Sequence, residues 1–248
     1  MGRLTAIICM AFISASWSAA GDSGVQDPRV IERDIWVPAP PLPDCAVPEL
    51  ASVVLDTVAM PGGVEYLPGR CVSAVHSTSP ADRTNLRGLT AFDALSRLVE
   101  MDPRYSWKNI DGIPVVRPLE AWSDPSGFLQ RTVSVGFTDQ NVGGALTAIL
   151  NAVGSGKFQG QRDLPTADGN RRFSISAQSS SVAAVLNAVV RAHGRLTWAV
   201  GYCRPQRRVE FARILLRTFD GAGLAGEPVG SSIDATGVRQ DPCAAQLP

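Results

Sequence analysis

Apolar positions recur along this chain with a helical period, and one such stretch occurs twice in the same setting. The run from Leu95 to Trp107 (LSRLVEMDPRYSW) aligns without a gap with the run from Leu186 to Trp198 (LNAVVRAHGRLTW), 91 positions later. In both runs leucine and valine recur at the three- and four-residue spacing of a helix that buries one face. This repeat predicts that one structural unit is used twice.

The pattern around the first run predicts helices and short strands over residues 45–118. Pro48 suits the first turn of a helix, and Gly62-Gly63 is expected to stop it. Thr90 is a good N-cap for the second helix, with Asp93 at the position of a capping carboxylate. The expected strands are 64–67, 72–75, 105–108 and 113–117.

A hairpin is expected directly after the second helix. Asp111-Gly112 is a pair that suits a tight turn between two strands. Pro114 has no N–H to donate to a strand ladder, so its strand is predicted to lie at a sheet edge.

The second unit is predicted over residues 132–219. Thr132 to Phe137 and Phe173 to Ala177 alternate apolar and polar residues, as half-buried strands do. Asp139 is expected to cap one helix and Ser181 the other. These helices should end at Gly154 and Gly194, respectively. Residues 155–170 are predicted as a loop, and a longer hairpin follows over 196–219.

We therefore predict an α+β protein of two similar modules. Each module has helices packed on a small, mainly antiparallel sheet with a β-α-β-β core. The Pro/Gly-rich composition predicts three further segments. They are an extended lead-in over 21–44, a connector over 119–131 and a flexible tail over 220–248.

The first twenty residues have the form of a secretory signal peptide. Arg3 precedes an apolar run, and Ser18-Ala19-Ala20 is a small-residue cleavage site before Gly21. The apolar run is too short to span a hydrocarbon core of about 30 Å. We expect the mature chain to lack a membrane span and to be periplasmic or secreted.

The formal charges of the full chain cancel. The chain has 23 basic and 23 acidic residues, and only Arg3 leaves with the signal peptide. A neutral balance gives no general attraction to nucleic acid, so we expect no nucleic-acid partner.

Four cysteines would remain after export, and an oxidising compartment favours two disulfides among them. We favour Cys45–Cys71 and Cys203–Cys243, because each pair closes a local loop within one half. The alternatives are the other two pairings or four buried thiols. Zinc is not expected, because no two cysteines have metal-site spacing.

The strand, helix, hairpin order resembles the secretin and TonB short N-terminal (STN) domains of bacterial envelope proteins. The run from Leu89 to Pro118 carries most of the likeness, and Arg172 to Val200 is a second copy of the pattern. The resemblance implies non-catalytic modules that bind other proteins. No receptor barrel or secretin pore follows in this chain, so no role in transport or secretion is carried over.

Motifs for catalysis are few. His76 and His193 are the only histidines, and neither stands in a nucleophile motif. The glycines of GAGLAG (221–226) precede Glu227-Pro228 and not a helix, so we expect no nucleotide cofactor, and we expect no metal. No catalytic residue is predicted. A hydrolase that uses His76 or scattered carboxylates remains the alternative.

Five residues are candidates for binding. Trp36 and Trp122 lie in Pro-rich segments, where an exposed indole could anchor a protein partner or stack on a glycan. The other three form a basic turn between two predicted strands: Arg204, Arg207 and Arg208. We expect an exported, non-enzymatic interaction module whose partner is an envelope protein, with glycan binding as a further alternative.

Overall fold

A computed structural model describes residues 29–42, 45–67, 83–154, 158–162, 167–203, 211–219, 232–233 and 239–240. The chain is α+β, as predicted. The first half contains β1 (Trp36–Pro38), α1 (Ala46–Thr57), β2 (Gly62–Glu65), β3 (Arg83–Asn85), α2 (Ala91–Met101), β4 (Tyr105–Ile110) and β5 (Ile113–Pro118).

The second half begins after two short 3₁₀ turns at Glu120–Trp122 and Phe128–Gln130. It contains β6 (Thr132–Gln140), α3 (Val142–Val153), β7 (Phe158–Arg162), α4 (Ala167–Asn170), β8 (Phe173–Ser181), α5 (Val182–His193), β9 (Leu196–Cys203) and β10 (Phe211–Thr218). Two further short strands, β11 (Ser232–Ile233) and β12 (Arg239–Gln240), pair with each other.

Both halves contribute three strands to one six-stranded sheet, in the order β4-β5-β2-β9-β10-β7. The prediction of a separate small sheet for each module is wrong, because the two halves share this one sheet, and the shared sheet is mixed. The pairs β2·β5, β2·β9 and β7·β10 are parallel, and only the hairpins β4·β5 and β9·β10 are antiparallel. Two parallel strands need a long connection, usually through a helix, and at least one helix lies along the chain between the two strands of each parallel pair.

The two faces of this sheet belong to two separate buried clusters. Val64, Val116 and Ala199 face the cluster that contains α1 and α2. Val115, Trp198 and Val200 face the cluster that contains α3 and α5. Successive strand residues point to opposite faces, so the helices of the two halves cover opposite sides of the sheet.

A two-stranded antiparallel ribbon accompanies each helix pair. In the first half β1 pairs with β3, and Val37 of β1 is buried in the cluster of α1 and α2. In the second half β6 pairs with β8; β6 contacts α3 and α5, and β8 contacts α5.

Several local predictions are confirmed. The side chain of Thr90 accepts a hydrogen bond from the Asp93 N–H at 3.1 Å, and Ser181 accepts one from Ala184 N–H at 3.1 Å. Asp111 and Gly112 have φ of 51° and 83°, the positive values of a tight hairpin turn.

Other local predictions are wrong. Gly62-Gly63 does not stop α1, which ends at Thr57, but lies inside β2. The strand β5, which contains Pro114, lies inside the sheet between β4 and β2. The proline is tolerated there because β2 pairs only with Val115 and Val116 and needs no hydrogen bond from Pro114. Asn141, not Asp139, caps α3 by accepting from Gly144 N–H at 3.0 Å.

The expected loop over 155–170 is also wrong in part, because it contains β7 and the single turn α4. The offset of 91 positions that relates Trp107 to Trp198 is not kept by the elements earlier in each half. Gly63 lies in a strand, whereas Gly154 follows α3 with φ of 90°.

Candidate functional site

The halves join where β2 runs parallel to β9, and this junction needs a glycine. Gly63 pairs with Trp198, and a Cβ at position 63 would lie 2.0 Å from Cε2 of the indole. That separation is far inside van der Waals contact. Trp198 is fully buried, and its Nε1 donates to Oδ1 of Asn187 at 2.9 Å. The indole therefore has no room to move aside.

A buried polar cluster lies at the end of the same junction. The guanidinium of Arg117 donates from Nε to Oε2 of Glu65 at 2.5 Å, and each residue is 2% exposed. The Tyr202 hydroxyl donates to the other carboxylate oxygen of Glu65. Arg117 also donates to the Ala121 carbonyl at 2.9 Å. Side chains of both halves thus satisfy one buried carboxylate.

Trp107 has surroundings similar to those of Trp198. Its Nε1 donates to Oγ of Ser96 at 3.1 Å, so each indole bonds a side chain of the preceding helix eleven positions earlier. The two environments differ on the outer side. Trp198 is covered by β2, whereas Trp107 is only partly buried and packs against Phe92 with ring centroids 5.1 Å apart.

That outer side is the edge of the sheet. Among the described strands, β4 pairs with β5 and has no neighbour on its other side. Lys108 and Asn109 of β4 are exposed. A six-residue edge strand offers a row of backbone donors and acceptors to an incoming strand.

The two predicted tryptophan sites differ in exposure. Trp36 is 50% exposed on β1. Trp122 is partly buried at the carboxyl end of β5, with Lys108 Nζ 4.4 Å and the Arg117 guanidinium 4.9 Å from its ring centroid. The cations stabilise the ring but leave less of it for stacking on a glycan.

The basic turn of Arg204, Arg207 and Arg208 lies outside the described residues, as do His76, Cys71 and Cys243. Cys45 is buried and disulfide-bonded. Its predicted partner, Cys71, lies outside the described residues, and the pairing Cys45–Cys71 therefore stays a prediction. Cys203 ends β9, and its pairing with Cys243 also stays a prediction.

His193 is buried at the end of α5, and both ring nitrogens are engaged. Nε2 lies 2.8 Å from the Asp168 carbonyl, which can only accept, so Nε2 carries the proton. Nδ1 accepts from the Arg195 N–H at 3.3 Å. Burial lowers the pKa of His193. A neutral imidazole with both nitrogens engaged is poorly suited to accept a proton from a substrate.

This burial makes His193 a source of acid sensitivity. The pKa of His193 is about 6.5 in the unfolded chain and lower in the fold. Between these two pKa values the unfolded chain binds a proton at His193 and the folded protein does not. We expect the free energy of unfolding to fall by up to about 1.4 kcal/mol per pH unit as pH drops from 6.5 to the folded pKa.

Urea unfolding at pH 7.5, 6.5 and 5.5 measures this effect in the wild type and in His193→Gln. The glutamine side chain keeps a donor and an acceptor but does not titrate. The free energy of unfolding of the variant, relative to that of the wild type, should therefore rise as the pH falls. His76 is present in both proteins and cancels. Parallel pH profiles for the two proteins would contradict the assignment.

Glu65, Arg117 and Tyr202 cannot be predicted as one cluster from the sequence, because nothing in their positions along the chain indicates that they meet. The adjacent glycines Gly62 and Gly63 ahead of an apolar segment are visible in the sequence, but two adjacent glycines also fit the end of a helix.

No group of histidine, cysteine and carboxylate side chains that could hold a metal is found among the residues that the structure describes. Within the same residues, no helix is long and apolar enough to cross a membrane. Comparison with protein-family models, with curated proteins and with solved structures finds no match to this chain.

Proposed function

We propose that this chain is an exported, non-enzymatic interaction module of the bacterial envelope, built from two copies of one unit, that binds a protein partner at the edge strand β4. The observation that carries the proposal is the contrast between two equivalent strands. The edge of β9 is occupied by β2, whereas the edge of β4 is open among the described residues.

The order of elements supports the duplication. In both halves a strand, a helix, two strands, a helix and a hairpin follow one another, with only the turn α4 added in the second. The pairings agree as well. β5 runs parallel to β2 as β10 runs parallel to β7, and β1·β3 matches β6·β8 as an antiparallel ribbon.

Two further features support a binding role. The strand, helix, hairpin order of each half fits the resemblance to STN domains, which implies protein binding. The ring nitrogens of His193 are occupied by backbone groups, which makes this histidine a poor catalyst. The signal-like residues 1–20 support export to an oxidising compartment.

Site-specific photo-crosslinking tests the proposal. A photoreactive amino acid at Asn109, which is exposed on β4, should yield a discrete crosslinked product when the full chain is exported in its native cell. The same chain should be recovered from the periplasmic or secreted fraction with Gly21 as its first residue.

The matched control carries the photoreactive residue at Ser176, which is exposed on β8 in the other ribbon. It should give no equivalent product. An absence of product from Asn109, or a chain retained in the cytoplasm, would refute the proposed function. A product from Trp36 alone would place the binding site on β1 instead.

A further inference from the structure

The pairing of β2 with β9 shows how an added strand covers an edge like that of β4. In the β2·β9 pairing the four residues Gly62–Glu65 lie beside Thr197–Val200 in parallel. Gly63 lies beside Trp198, and the indole fills the space that a side chain on Gly63 would need. The rule that follows for an edge of this kind is that the added strand is parallel and places a glycine beside the tryptophan.

The backbone of β4 presents the same groups as that of β9. Asp111 and Gly112 form a two-residue turn, so Ile110 and Ile113 are a hydrogen-bonded pair. Bonded pairs alternate along an antiparallel ladder. The N–H and C=O groups of Trp107 and Asn109 therefore point away from β5.

The side chains agree with the backbone. Trp107 is held to Ser96 as Trp198 is held to Asn187, and it is partly exposed where β2 would cover it. Phe92 occupies the position of Ala183 and adds a partly buried ring beside the indole. With respect to the part of the chain that the structure describes, the edge thus combines open hydrogen-bonding groups with an apolar surface, the two requirements for strand addition.

We propose that β4 binds an extended segment of another protein, in parallel orientation, that places a glycine beside Trp107. This inference rests on the proposed function and names the chemistry of the partner. The glycine is required because any side chain at that position would enter the space of the indole, as at Gly63. In register, the segment lies beside Ser106–Asn109.

A second copy of this chain fits the edge poorly. Among the described strands of the sheet, a second copy could offer its own edge strands β4 and β7. β4 contains no glycine, and β7 pairs with β10 as β2 pairs with β5. At the position of Gly63, β7 carries Gln161, because Gln161 lies beside Leu215 as Gly63 lies beside Val115. A glutamine there would place a Cβ against Trp107.

A peptide probe tests the rule directly. We use the sequence of residues 60–67 with the glutamate replaced by threonine, which avoids a carboxylate near Asp111, and label it for fluorescence anisotropy. It should bind the full chain saturably. The same peptide with valine for the second glycine should bind at least about tenfold more weakly.

Two variants at one position separate the backbone from the side chain. Asn109→Pro removes the outward N–H without taking a hydrogen bond from β5, and it should weaken binding at least about tenfold. Asn109→Ala keeps the N–H and should change binding less than about twofold. Circular dichroism and urea unfolding verify that both variants fold.

Orientation and partner are resolved by two further readouts. A spin label at the peptide N-terminus should broaden the amide signals of Ser106 more than those of Gly112, as parallel pairing requires. Equal binding by the valine peptide, the opposite broadening pattern, or equal binding by Asn109→Pro would each overturn the inference. A concentration-dependent dimer lost in Asn109→Pro would also overturn it, in favour of self-association.

Failure here is distinguishable from failure of the proposed function. If the Asn109 crosslink forms in cells but the glycine peptide does not bind, β4 is an interaction site and the glycine rule is wrong. If neither occurs, both statements fall.

Discussion

Replacing Gly63 by alanine is expected to destabilise the protein by about 3 kcal/mol, at the upper end of the usual cost of overpacking a core. The new Cβ would lie 2.0 Å from the indole of Trp198, which is fully buried and hydrogen-bonded to Asn187. Relief would require β2 to separate from β9. The melting temperature should fall by about 6–12 °C, measured by calorimetry or thermal circular dichroism.

Gly201→Ala is the matched control. Gly201 lies on β9 near Trp198, and nothing lies within 4 Å of a Cβ placed there. Its replacement should change stability by less than about 0.5 kcal/mol. Trp198→Phe should relieve part of the cost of Gly63→Ala, so the two changes should be non-additive. A cost for Gly63→Ala no larger than that of Gly201→Ala would contradict the close packing.

Neutralising Glu65 is expected to cost about 3–5 kcal/mol of the free energy of unfolding. Glu65→Gln leaves the buried guanidinium of Arg117 without its counter-charge, and the Tyr202 hydroxyl loses an ionised acceptor. Urea unfolding of the purified chain measures the loss. The size of the effect comes from the uncompensated charge and not from the strength of the pair.

Two comparisons isolate that cause. The double variant Glu65→Leu with Arg117→Met removes both charges and should be more stable than Glu65→Gln. Glu100→Gln breaks the exposed pair with Arg97, whose side chains are 64% and 52% exposed, and should cost less than about 0.5 kcal/mol. Equal losses from Glu65→Gln and Glu100→Gln would show that the first pair is solvated.

Elements governed by local chemistry were predictable from the sequence. Thr90 and Ser181 cap their helices because a hydroxyl can accept from an N–H three residues ahead. Asp111-Gly112 turns because both residues adopt positive φ. These features depend on neighbours along the chain, so the sequence carries the whole signal.

Features governed by distant contacts were not predictable. A glycine pair is both a helix stop and a site of close approach, and only the indole beside Gly63 decides between them. Pro114 suggested an edge, but the short strand β2 passes it without needing its N–H. The order of the six strands follows from the parallel pairing of β2 with β9, for which no local pattern exists.

The candidate site divides in the same way. The repeat of Trp107 and Trp198 was visible in the sequence, and the structure gives both indoles a bond to the preceding helix. What differs between them is the neighbour of each strand. That difference is a property of the assembled sheet, in which β2 covers the edge of β9 and no described strand covers the edge of β4.

The central pairing also bears on how the chain reaches its fold. Gly63 and Trp198 are 135 positions apart, so β2 has no partner on that side until almost the whole chain has emerged. Contacts of such long range are formed late and slow the search for the native state. Until then the exposed glycine-rich strand can pair wrongly, and a chaperone that shields the nascent chain would protect it.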